Sequence, residues 1–96
     1  MAMNPSRWVA GVRVPGRGGV RWTPLVDLAG LDAEAWNESR AATARKKLER
    51  GMEPPPIDVY VYPDLKRVSL SDGNHRLVAA REAGKPSIRV RWVIVR

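Results

Sequence analysis

Apolar and polar residues alternate most regularly in three stretches of the second half of the chain. Ile57-Asp58-Val59-Tyr60-Val61-Tyr62 and Arg67-Val68-Ser69-Leu70-Ser71 each repeat with period two. Over Ser87–Val95, Ile88, Val90, Trp92 and Ile94 fall on one side and Arg89 and Arg91 on the other. That period marks strands with one buried face. Pro63-Asp64-Leu65-Lys66 joins the first two as a hairpin turn, its proline preset for an early turn position. Between the second and third strands an Ala-rich stretch predicts a helix over about Asn74–Ala83, stopped by Gly84 with Pro86 just beyond.

The first half is less regular. Short strands are expected near Trp8–Val14 and over Val20–Leu25, the second limited by Pro24, with the loop Pro15-Gly16-Arg17-Gly18-Gly19 between them. Residues 1–19 read as a flexible, basic N-terminal segment. Asp32 is a suitable N-cap for a helix over about Ala33–Arg50 that ends at Gly51, with Trp36, Ala41, Ala44 and Leu48 as its buried stripe. Glu34 near its start and Lys46, Lys47 and Arg50 near its end suit the helix dipole. Pro54-Pro55-Pro56 removes three backbone donors and ends regular structure before the next strand. The order strand, helix, hairpin, helix, strand predicts a single α+β domain over residues 1–96, a mixed β-sheet with two main helices.

Composition narrows the chemistry. The absence of cysteine excludes disulfides, thiolate metal sites and thiol-based mechanisms. No segment resembles an export signal or a membrane span, so a cytoplasmic protein without membrane contact is expected. A net charge of +7 predicts attraction to polyanions, nucleic acid first among them. Arg17, Arg21, Arg89, Arg91 and Arg96 are the candidate nucleic-acid contacts, and Lys85 extends the stripe that Arg89 and Arg91 begin.

Candidate chemistry concentrates at Asp72-Gly73-Asn74-His75-Arg76, where a predicted strand gives way to a helix. The first N–H groups of a helix lack internal partners and favour anions. Gly73 lets the backbone approach a ligand without a Cβ in the way. Gly73, Asn74, His75 and Arg76 therefore form a candidate phosphate site, with Arg76 as a bidentate clamp. His75, the only histidine in the chain, is suited to shuttle a proton; Asp72 is suited to hold Mg²⁺ or to position a hydroxyl nucleophile. These two are the candidate catalytic residues. The plain structural alternative makes Asp72 a cap, Gly73 a turn residue, and His75 and Arg76 surface residues of the first turn. Against it, a cation in a first turn opposes the helix dipole. Arg40, one turn beyond Trp36, could face the same cleft, and Asp27 stands just after a predicted strand, where a catalytic carboxylate could lie.

From Gly51 to Arg96 the chain resembles the ParB/sulfiredoxin-like superfamily. The resemblance is carried by Gly51 followed by Pro56-Ile57-Asp58-Val59, by the Asp72–Arg76 motif, by Ala79-Ala80 and Gly84, and by Ile88-Arg89-Val90. Val20–Asp27 and the long helix match the family's opening more loosely. The resemblance implies a small ParB/sulfiredoxin-like domain that holds the phosphates of ATP, ADP or CTP at Asp72–Arg76, with Mg²⁺ accompanying the nucleotide. Sulfiredoxins carry a cysteine where this chain has Asn74, which excludes their sulfinic-acid chemistry. The superfamily's free-serine kinases have an Asp-Gly-His-His-Arg-like motif and an upstream glutamate base, for which Asp27 is the nearest counterpart. Partition proteins bind CTP and DNA with the help of further domains. The expectation is a nucleotide-binding domain, with slow NTPase or phosphoryl-transfer activity as its enzymatic extension. The alternatives are a DNA-binding or nuclease-like accessory of plasmid or phage type, or a non-catalytic interaction module that pairs with itself or with a protein partner.

Overall fold

The structure, a computed structural model, describes residues 6–96. A short antiparallel hairpin, β1 (Arg7–Val9) and β2 (Val12–Val14), precedes β3 (Gly19–Pro24) and a 3-10 turn at Leu25–Leu28. Then come α1 (Glu38–Glu49), β4 (Ile57–Tyr62), a 3-10 turn at Pro63–Leu65, β5 (Arg67–Asp72), α2 (Asn74–Glu82) and β6 (Ser87–Ile94). The main sheet has the order β3-β6-β4-β5; β6 runs antiparallel to β3 and parallel to β4, and β4 runs antiparallel to β5. This is the mixed-sheet α+β domain that the alternation in β4, β5 and β6 predicts.

Register decides what each face carries, because directly opposed residues point the same way. Ile57 pairs with Val90 and Val59 with Trp92, while Val59 and Val61 face Leu70 and Val68 on the other side. These residues form one apolar face, closed by Leu77 and Ala80 of α2, by Leu28 and Leu31, and by Val12 and Val14 of the hairpin. The opposite face carries Trp22 beside Arg89, and Arg91 beside Asp58. Helix α1 packs on α2, and each buries alanines: Ala41 and Ala44 on one, Ala79 and Ala80 on the other.

Two expectations require correction. The described part of the basic N-terminal segment is a docked hairpin rather than a flexible lead-in. Ala10 and Gly11 both take positive φ (49° and 77°), the two-residue turn whose twist matches that of paired strands. Val12 and Val14 then enter the core. Residues 1–5 of that segment lie outside the described residues.

Helix α1 is also shorter than predicted: it begins at Glu38 with Asn37 as N-cap, not at Ala33 after Asp32. The preceding backbone groups are held by tertiary bonds instead. Arg81 donates to the carbonyls of Leu28 (3.0 Å) and Leu31 (2.9 Å), and the Asn37 N–H donates to His75 Nε2 at 3.1 Å. Trp36, expected in the buried stripe, consequently stands off the helix and is 63% exposed. No described helix is long and apolar enough to cross a membrane.

Candidate functional site

At the end of the sheet where β6 begins, α1, α2 and the proline segment border a cleft of about 770 Å³. The Asp72–Arg76 segment forms one wall. Gly73 is buried at φ 107°, and a Cβ there would fall 2.5 Å from Ile57 Cγ2 and 2.8 Å from Ile57 Cβ. Both the conformation and the packing therefore require glycine. One consequence is that no side chain caps α2. The N–H groups at its start point toward the cleft end of the helix with only their partial positive charge.

The structure brings Asp72, Gly73, Asn74, His75 and Arg76 together on the cleft wall, but it gives three of their side chains internal partners. Arg76 Nη1 donates to the carbonyls of Pro55 (3.0 Å) and Pro56 (3.1 Å), and its Nη2 donates to Asp72 Oδ2 at 3.0 Å. Its side chain is only 20% exposed. The residue expected to clamp phosphate is thus a brace between α2 and the proline segment. This also explains a cation in the first turn: the carbonyls it satisfies outweigh its opposition to the dipole. His75 Nε2 accepts the Asn37 N–H, which places the ring proton on Nδ1. The indole of Trp36 meets the imidazole edge-on, with ring centroids 4.9 Å apart. The imidazole thus ties the segment before α1 to α2. Asp72 is 70% exposed, with one oxygen on Arg76. Its remaining oxygen suits a hydrated Mg²⁺ delivered together with phosphates. Among the described residues no larger cluster of His, Asp or Glu gathers that would hold a metal by itself.

The expected basic stripe is largely neutralised. Arg91 grips Asp58 with both arms of its guanidinium, at 2.7 and 2.8 Å, a pairing that raises its pKa above the ordinary arginine range. Arg89 Nη2 donates to the Pro54 carbonyl at 2.7 Å. Its Nε lies 3.0 Å from Glu53 Oε1 but is not aligned for a hydrogen bond, so this contact is an ion pair only. Arg17, Arg21 and Arg96 are exposed on the surface and do not line the cleft. Asp27 is likewise separate: it sits half-buried in the 3-10 turn and borders a smaller pocket of about 140 Å³ with Arg13, Arg21 and Thr23.

The cations that remain available in the cleft are Arg40, Lys47 and Lys85. Among the described residues none of the three is within ion-pair distance of a carboxylate. Arg40 instead lies over the Trp36 ring, 5.5 Å from its centroid. In the sequence Arg40 already points to this cleft, whereas Lys47 reads only as a complement to the helix dipole and Lys85 as part of the strand stripe. The usable signal was Pro54-Pro55-Pro56. Three residues that can accept but not donate hydrogen bonds recruit the nearby arginines, which leaves ligand charge to the other cations. No family model, curated protein or solved structure matches this chain.

Proposed function

We propose that this domain binds a nucleoside phosphate in the cleft at the start of α2. The observation that carries the reading is the set of three uncommitted cations, Arg40, Lys47 and Lys85, gathered in one cleft with an uncapped helix N-terminus. Every other arginine of the region is held by carbonyls or carboxylates. A surface basic only for solubility has no reason to leave its free charges concave and together. Helix N–H groups and ammonium groups are suited to the dispersed charge of phosphate oxygens. The exposed indole of Trp36 borders the same cleft and offers apolar area for a base. The likeness of Gly51–Arg96 to ParB/sulfiredoxin-like domains supports the same ligand class, with Asp72 as the contact for Mg²⁺ that accompanies the phosphates.

Isothermal titration with ATP, ADP, CTP and GTP, each with and without Mg²⁺, tests the reading. At least one nucleotide binds the wild type. The Lys47→Ala, Lys85→Ala double variant weakens that binding about a hundredfold or more, the loss of two charge-assisted contacts worth about 1.5–3 kcal/mol each. Because both lysines are exposed, the variant keeps its melting temperature. Binding that is absent from the wild type, or undiminished in the double variant, overturns the reading.

A further inference from the structure

Two of the chain's four tryptophans border the cleft, and both are left largely in solvent: Trp22 is 58% and Trp36 63% exposed. They come from different elements, Trp22 from β3 and Trp36 from the segment before α1. The core has no use for either ring. Met52, also exposed, lines the same opening. The cleft therefore offers two separate indole platforms together with three free cations, whereas a single nucleotide has one base to stack.

We propose that the cleft holds a segment of single-stranded nucleic acid, with one base on Trp22, another on the Trp36–Arg40 pair, and the connecting phosphates on Lys47, Lys85 and the start of α2. This rests on the reading of the cleft as a nucleoside-phosphate site and extends it from one nucleotide to several. Aromatic platforms interleaved with cations are how proteins hold unpaired strands, because every base has a π-face and every linkage a charge. Arg40 lies 5.5 Å from the Trp36 centroid, so the second platform is a composite of indole and guanidinium, to which bases also stack. Duplex is disfavoured by the same geometry, since its bases are stacked on one another and do not present their faces. The net charge of +7 adds long-range attraction for a polyanion.

The test uses the full chain with dTMP, dT2, dT4 and dT8 as competitors against fluorescein-labelled dT8, and a parallel oligouridine series. Anisotropy is read at several salt concentrations. Affinity rises at least about tenfold from dTMP to dT4. Trp22→Ala weakens dT4 about tenfold, within the range for one stacked base, and leaves dTMP within about twofold. Lys85→Ala reduces the steepness of the salt dependence by about 0.7, as expected for one phosphate contact on a single strand. Trp22 projects from the face opposite the core, so the variant keeps its far-ultraviolet circular dichroism. If dT4 binds no tighter than dTMP, the polymer inference fails while the nucleotide reading stands. If neither binds, the polymer inference fails, and the nucleotide reading falls as well only if ATP, ADP, CTP and GTP also fail to bind. Oligonucleotide binding that ignores Trp22→Ala places the strand elsewhere on the surface and overturns the inference, as does an equal loss for dTMP and dT4.

Discussion

Helix α1 opens on Asn37, whose Oδ1 accepts the Arg40 N–H and whose own N–H is taken by His75. Helix α2 opens on Gly73, which has no side chain with which to cap anything. Ser, Thr, Asp and Asn supply a side-chain acceptor at such positions, which glycine, also common there, cannot. Packing imposes the glycine: Ile57 occupies the space that any Cβ at 73 would need. The cations divide in a related way. Arg45, which bridges Glu82 and Glu38, and Arg76, Arg81, Arg89 and Arg91 all hold the fold together. Arg40, Lys47 and Lys85 line the cleft, and among the described residues none of them forms an ion pair. What the contrast teaches is that closed helix ends and paired cations belong to the scaffold, while the open end and the free cations share one place.

The largest effect that can break this comparison comes from Gly73→Ala. The variant must hold a non-glycine residue at φ 107° and displace Ile57, whose Cγ2 would lie at 2.5 Å. Backbone strain and overpacking each cost about 1–3 kcal/mol, so urea unfolding should show a loss of about 2–6 kcal/mol. A loss below about 0.5 kcal/mol, within the range of an ordinary surface change, would mean that the turn adapts and that packing does not keep α2 uncapped. Next in size is Arg76→Ala. A phosphate clamp could be removed with little effect on stability, whereas a brace to Pro55, Pro56 and Asp72 cannot. The expected loss is about 2 kcal/mol, as for a partly buried charged donor, with nucleotide affinity of the folded protein little changed. Arg76→Lys should not restore it, because an ammonium lacks the planar fork that spans these acceptors. The opposite pattern, full stability with lost nucleotide binding, would move Arg76 to the ligand side.

The strands β4, β5 and β6 were legible because alternation between core and outer face is written directly into their residues, as in Ile88, Val90 and Trp92 against Arg89 and Arg91. The position of the cleft was legible too, since Asp72–Arg76 announces a strand-to-helix turn that needs glycine. The roles within it were not. A guanidinium in a first turn looks idle from the sequence, because its acceptors, the Pro55 and Pro56 carbonyls, lie 21 and 20 residues away. The start of α1 failed for a similar reason. Asp32-Ala33-Glu34-Ala35 is compatible with helix in composition, but His75, 38 residues downstream, takes the Asn37 N–H. Local propensity is a weak prior against a specific tertiary bond. Trp36 falls in an apolar stripe only on a helix that extends back past Glu38, and α1 does not.

The smallest effect tests the closed end. Asn37→Ala removes the Oδ1 that accepts the Arg40 N–H, yet it keeps the backbone N–H that donates to His75. Only the cap is lost, so stability should fall by about 1 kcal/mol, the usual cost of replacing an N-cap asparagine with alanine. Asn37→Asp keeps an acceptor and adds a negative charge at a helix N-terminus, and should match the wild type or exceed it by about 0.3–1 kcal/mol, less so in high salt. Because Asn37 does not line the cleft, nucleotide affinity should be the same in all three proteins. If Asn37→Ala leaves stability intact but weakens ligand binding, the start of α1 is part of the site, and the division between a closed scaffold end and an open binding end no longer holds.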